Sequence, residues 1–132
     1  MISNFEEITH NLTQAELDLA HKLIPAFKAR TKENKISTRE LVKKISDYYN
    51  LSFKFNEVRL RKIVNYYRSN CILPVCGSSD GYYVSYDITE MNKTAVSLEQ
   101  RTVSILNSSF GMSKMIKQEI EKSKNVEQKK LF

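Results

Sequence analysis

Apolar residues return every three or four positions in four stretches of this chain, and each stretch opens on a residue suited to cap a helix. In the first, Thr13 and Glu16 make a capping box, in which each side chain accepts from the other residue's free backbone N–H, and Leu12 can staple to Leu17. Leu17, Ala20, Leu23, Ile24 and Phe27 then give that helix one buried face. Pro25 removes a backbone donor and predicts a kink or a restart, and the T-K-E-N-K segment ends the helix.

The same grammar recurs at Ser37 with Glu40, where Ile36 can staple to Leu41 and the stripe runs through Val42, Ile45 and Tyr48. Ile36 also suits a short strand. Asn56 caps a third helix, with Phe55 reaching Leu60, and Leu60, Ile63, Val64 and Tyr67 follow the i, i+3, i+4, i+7 rule. Two strand-like runs, C-I-L-P-V-C and Y-Y-V-S-Y, flank G-S-S-D-G and predict a hairpin, with Pro74 at a sheet edge. Asp87 with Glu90 opens a fourth helix. Along it Met91, Ala95, Leu98, Thr102, Ile105, Ser109, Met112 and Ile116 alternate in steps of four and three, a stripe for one partner. The chain from residue 123 is charged and predicts a flexible tail.

These elements give a mainly α fold with a small β-hairpin: a lead-in over residues 1–12, a domain over 13–86, a long C-terminal helix over 87–122 and the tail over 123–132. The formal net charge of +6 matters through its distribution. Residues 31–70 hold ten Lys or Arg against four Asp or Glu, so the positive field centres on the second and third helices. On the third, a 100° step per residue puts Lys62, Asn65, Tyr66 and Ser69 opposite the core stripe, with Arg59 at one edge and Val58 near the start.

An arc of that kind fits a major groove: Arg59 and Lys62 can donate to guanine edges, Asn65 can pair both ways with adenine, and Tyr66 and Ser69 complete the reading face. Arg61 and Arg68 on the flank, with Arg39, Lys43 and Lys44 on the second helix, suit phosphates. Each also reads as an ordinary solvated cation. Ser78 and Ser79 are candidates for a loop contact, although Asp80 beside them repels phosphate.

The order helix, short strand, two helices, hairpin resembles the winged helix-turn-helix superfamily from about Thr13 to Tyr86. The turn between Tyr49 and Asn56 is longer than in the tightest helix-turn-helix units, a length that winged forms tolerate. The segments L-I-P-A-F-K-A-R-T-K-E-N, I-S-T-R-E-L, V-R-L-R-K-I-V-N-Y-Y-R and C-G-S-S-D-G-Y-Y, with a trailing long helix, are similar to small phage-encoded winged-helix proteins. The resemblance implies a reader of double-stranded DNA, a transcriptional regulator or replication accessory factor in the cytoplasm of a host cell. The C-terminal stripe fits either a helix folded back onto its own domain or a homodimer through Met91, Leu98, Ile105, Met112 and Ile116, which would set two reading helices on half-sites one helical turn apart. The rival reading is a winged module that docks on a replication or transcription protein without binding DNA.

Catalytic chemistry finds little support. Cys71 and Cys76 lack a Cys or His cluster to complete a zinc site and read as reduced, half-buried core thiols. Seven tyrosines raise the idea of a DNA-cleaving tyrosine, but neither an acidic metal cluster nor a histidine-rich basic pocket accompanies them, and His10 and His21 read as surface residues. With only three glycines and no phosphate loop, no enzyme, metal or cofactor is expected. No stretch approaches a membrane span and no charged start leads into an apolar run, which predicts a soluble protein of the cell interior.

Overall fold

The computed structural model describes residues 11–78 and 81–131. The chain is mainly helical, with one two-stranded antiparallel hairpin and a long C-terminal helix: α1 (Gln14–Lys28), a 3₁₀ turn (Lys32–Asn34), α2 (Thr38–Tyr48), α3 (Glu57–Ser69), β1 (Val75–Ser78), β2 (Gly81–Val84) and α4 (Ile88–Leu131). It divides into two compact units, Met1–Thr94 and Ala95–Phe132.

Helix starts follow the expected chemistry. The Thr13 hydroxyl accepts from the Glu16 N–H while the Glu16 carboxylate accepts from the Thr13 N–H at 2.9 Å, a complete capping box. Ser37 and Asn56 accept from Glu40 N–H and Arg59 N–H, and Asp87 accepts from Glu90 N–H at 3.2 Å. α1 runs through Pro25 to Lys28 as one helix.

The core of the first unit joins Leu19, Ala20, Leu23 and Phe27 of α1, Leu41 and Ile45 of α2, Leu60, Ile63, Val64 and Tyr67 of α3, and Ile36, Phe55, Leu73, Val75 and Tyr82. The Tyr67 hydroxyl donates to the Ala20 carbonyl, so the one polar atom of that buried ring is satisfied and α3 is tied to α1. Three side chains depart from the expected pattern. Leu17 is half-buried and Leu19 takes the core position, because the α1 stripe is set by Glu16, Leu19, Leu23 and Phe27. Tyr48 is exposed, and Tyr49 packs on the core instead, since it lies four residues after Ile45 and its extended C-cap backbone turns it inward. Cys71 is exposed rather than half-buried, and only Cys76 is a core thiol.

The hairpin register pairs Val75 with Val84, Cys76 with Tyr83, Gly77 with Tyr82 and Ser78 with Gly81. Ser79 and Asp80 lie outside the described residues. Ile36 adds a third rung on the far side of β2: its N–H donates to Tyr82 O at 3.2 Å and its carbonyl accepts from Tyr82 N–H at 2.8 Å. β1 is thus an edge strand, and Pro74 sits just before it, as its missing donor requires. Gly81 has φ +140°, and a Cβ there would stand 2.6 Å from the Ile36 carbonyl oxygen, so the close approach of that rung demands glycine.

The second unit is the remainder of α4. The helix continues through the segment expected to be a flexible tail and reaches Leu131, with Lys122 and Glu119 paired at 3.2 Å. Lys, Glu and Gln are good helix formers, and no Gly or Pro after Gly111 interrupts the backbone hydrogen bonds. Among the described residues no helix is long and apolar enough to cross a membrane.

Candidate nucleic-acid interface

α3 is held from two sides. Leu60, Ile63, Val64 and Tyr67 seat it in the core, and its first two turns are fastened to α1 through Glu16. Glu16 is fully buried yet charged: it accepts from Lys62 Nζ at 3.0 Å and Arg59 Nη1 at 3.4 Å in addition to the Thr13 N–H. Burial by itself would raise the Glu16 pKa, but the Thr13 backbone donor, and then Lys62 as donor and as charge, outweigh it and hold the carboxyl below the ordinary carboxylate range. Arg59 also lies over the Phe53 ring, 4.5 Å from its centroid.

This fastening turns the outward face of α3. Arg59 and Lys62, expected to point away from the core, reach across to α1, and the Lys62 side chain is only 16% exposed. Tyr66 packs against the core cluster and meets His21 edge to face at 6.3 Å. The physical reason is that α1 covers the 59, 62, 66 edge of the helix, and the wheel of an isolated helix contains no information about that neighbour.

The solvent-facing stripe is therefore Val58, Arg61, Asn65 and Ser69, at steps of three, four and four along one line of the helix. Val58 is 57% exposed and is the one apolar member of the line. Arg61 and Ser69 are exposed and Asn65 is half-buried. Arg68 flanks the stripe, with its Nε donating to Val75 O at 2.8 Å, which links α3 to the edge strand. Arg39, Lys43 and Lys44 of α2 are exposed, and Lys44 borders a cleft between α1 and α2. Ser78 closes β1, while Ser79, the other candidate loop contact, is outside the described residues.

Two features had no counterpart in the sequence reading. Glu16 was legible as a cap, but its place on the Leu19, Leu23, Phe27 stripe also signalled a buried carboxylate in need of cations. At the start of α4, Glu90 accepts from Lys32 Nζ at 2.7 Å and from the Tyr83 hydroxyl at 2.6 Å. Lys32, then Tyr83, hold the Glu90 carboxyl below its usual range, and the bond to Glu90 together with burial pushes the Tyr83 phenol up to about 12.

In the second unit the expected partner stripe is open. Ile105, Met112 and Ile116 are each more than half exposed, and Val103, Leu106 and Phe110 add a second apolar stripe beside it. Between Arg101 and Lys114 the helix carries no charged residue. The Thr102 hydroxyl donates to the Leu98 carbonyl at 3.0 Å, which satisfies a polar side chain on the apolar line within the helix itself.

No family model, curated protein or solved structure matches this chain.

Proposed function

We propose that residues 13–86 are a winged helix-turn-helix domain that binds double-stranded DNA with α3 in the major groove, and that two copies associate along the apolar stripes of α4. The order of elements supports the first part: α1, the Ile36 rung, α2, α3, then a hairpin hydrogen-bonded to that rung. The observation that carries the reading is the line of exposed Val58, Arg61 and Ser69 with half-buried Asn65 among them, on a helix whose opposite face is seated in the core. An exposed Val meets a thymine methyl, Arg61 donates to a guanine edge, and Asn65 pairs both ways with adenine. This reading gives Arg61 a base-reading role, with Arg59 and Lys62 held beside the groove by Glu16 and Arg39, Lys43 and Arg68 near the backbone. Such a reader works without a cofactor and without turnover, as a regulator of transcription or an accessory factor in replication.

Fluorescence anisotropy on a random duplex and its single strand, titrated from low to physiological salt, tests the proposal. Expected is duplex binding that weakens steeply with salt, reflecting released counterions. Arg61→Ala and Asn65→Ala should cost about 1–3 kcal/mol at particular base positions of a selected site. Absence of duplex binding at low salt overturns the reading and favours the docking module, in which the basic helix faces an acidic protein.

A further inference from the structure

The α1–α2 cleft is independent of the α3 face and has a chemistry of its own. It is an open trough with a volume of about 810 Å³. Its floor is apolar: Leu23, Ala26 and Phe27 from α1 meet Leu41 and Ile45 from α2. Tyr48 stands at its mouth, 83% exposed and braced edge to face by Tyr49 with ring centroids 5.0 Å apart. An exposed aromatic ring at the rim of an apolar cleft is a useful contact for a partner.

The rim is cationic. Lys22, Arg30 and Lys44 border the cleft against a single acid, Asp47, and neither Lys22 nor Lys44 forms a salt bridge within the described residues. The walls run from Lys22 to Arg30 and from Leu41 to Tyr48, so each is about two helical turns, or roughly 11–12 Å, long. A trough of that length, apolar below, positive on its α1 side and with Lys44 beside Asp47 on its α2 side, complements a helix that presents two bulky apolar side chains one turn apart and carboxylates toward Lys22 and Arg30. Of the rings that line the cleft, Phe27 is buried and Tyr49 half-buried, so Tyr48 alone offers an open face on which a nucleobase could stack, and the cleft suits side-chain anchors better.

We propose that this cleft docks an acidic, amphipathic helical segment of a partner protein. The test uses the full chain and a fluorescein-labelled peptide of glutamates with Leu and Phe at i and i+4, beside a counterpart in which every glutamate is lysine. Saturable binding of the acidic peptide is expected, with none by the lysine peptide. Ala26→Trp fills the cleft from an exposed position and should weaken binding at least about tenfold, as should Lys22→Glu combined with Arg30→Glu. Circular dichroism of each variant checks that the fold is intact. Absence of binding by the acidic peptide, equal binding by the lysine peptide, or indifference to Ala26→Trp in a folded variant would overturn the proposal. So would an oligothymidylate that displaces the peptide and is itself lost in the same variants. None of these outcomes depends on whether α3 binds a duplex.

Discussion

Cys71 occupies a backbone position that glycine fills at many helix ends. α3 stops at Ser69; the Ile72 N–H donates to Tyr67 O at 2.8 Å and the Cys71 N–H to Arg68 O at 3.3 Å, a Schellman closure with Cys71 at φ +56°. A side chain there costs about 1 kcal/mol, partly offset by the greater unfolded-state entropy of glycine. Cys71→Gly should therefore stabilise the fold by roughly 0.5 kcal/mol, read as a higher urea midpoint at constant slope. Glu16 makes the opposite case. Because its folded pKa lies below its unfolded value of about 4.3, its contribution is complete above that pH and is lost as pH falls through the folded pKa. Glu16→Ala should cost about 2 kcal/mol at neutral pH, combining a lost cap with two cations deprived of their partner. Urea melts at pH 7 and pH 3 should show the gap between wild type and variant closing in acid. The caps were legible because their residue types are specific; the left-handed turn at Cys71 was not, because that position lacks the glycine that normally marks it.

At the scale of elements, periodicity located the four helices and the hairpin, and it identified the buried stripe of α3 by name. It misplaced the opposite face of α3, since that depends on where α1 lies, and it could not foresee the α1–α2 cleft, which exists only when two helices are brought together. Two glycines test the elements. Gly81→Ala places a Cβ against the Ile36 carbonyl at a positive φ and should cost roughly 3 kcal/mol, detected as a lower thermal midpoint. Gly111 is different: nothing lies within 4 Å of a Cβ built there, and it lies off both apolar stripes of α4. Gly111→Ala should raise helix stability by about 1 kcal/mol, seen as greater helical signal on heating.

For the whole molecule, the division of labour is between a unit with a core and a unit without one. Every buried side chain of the hydrophobic cluster lies between Leu19 and Tyr82, while the second unit exposes Val103, Ile105, Leu106, Phe110, Met112, Met115 and Ile116. A helix in a protein draws most of its stability from packing, and those stripes are where the proposed second copy would pack. A chain ending at Thr94 should still unfold cooperatively and sediment as a monomer, whereas the full chain should sediment as more than one copy with a concentration-dependent melting temperature. A full chain that stays monomeric at all concentrations would remove the second-copy proposal and leave the first unit's reading untouched.

The two thiols turn the chain into its own opening gauge. Cys71 is exposed and Cys76 is 1% exposed, so a maleimide dye should mark the first at once in the native protein. The second reacts only through molecules whose hairpin has opened, and its slow labelling rate under native conditions, divided by the rate in urea, yields the free energy of that opening without any denaturant extrapolation.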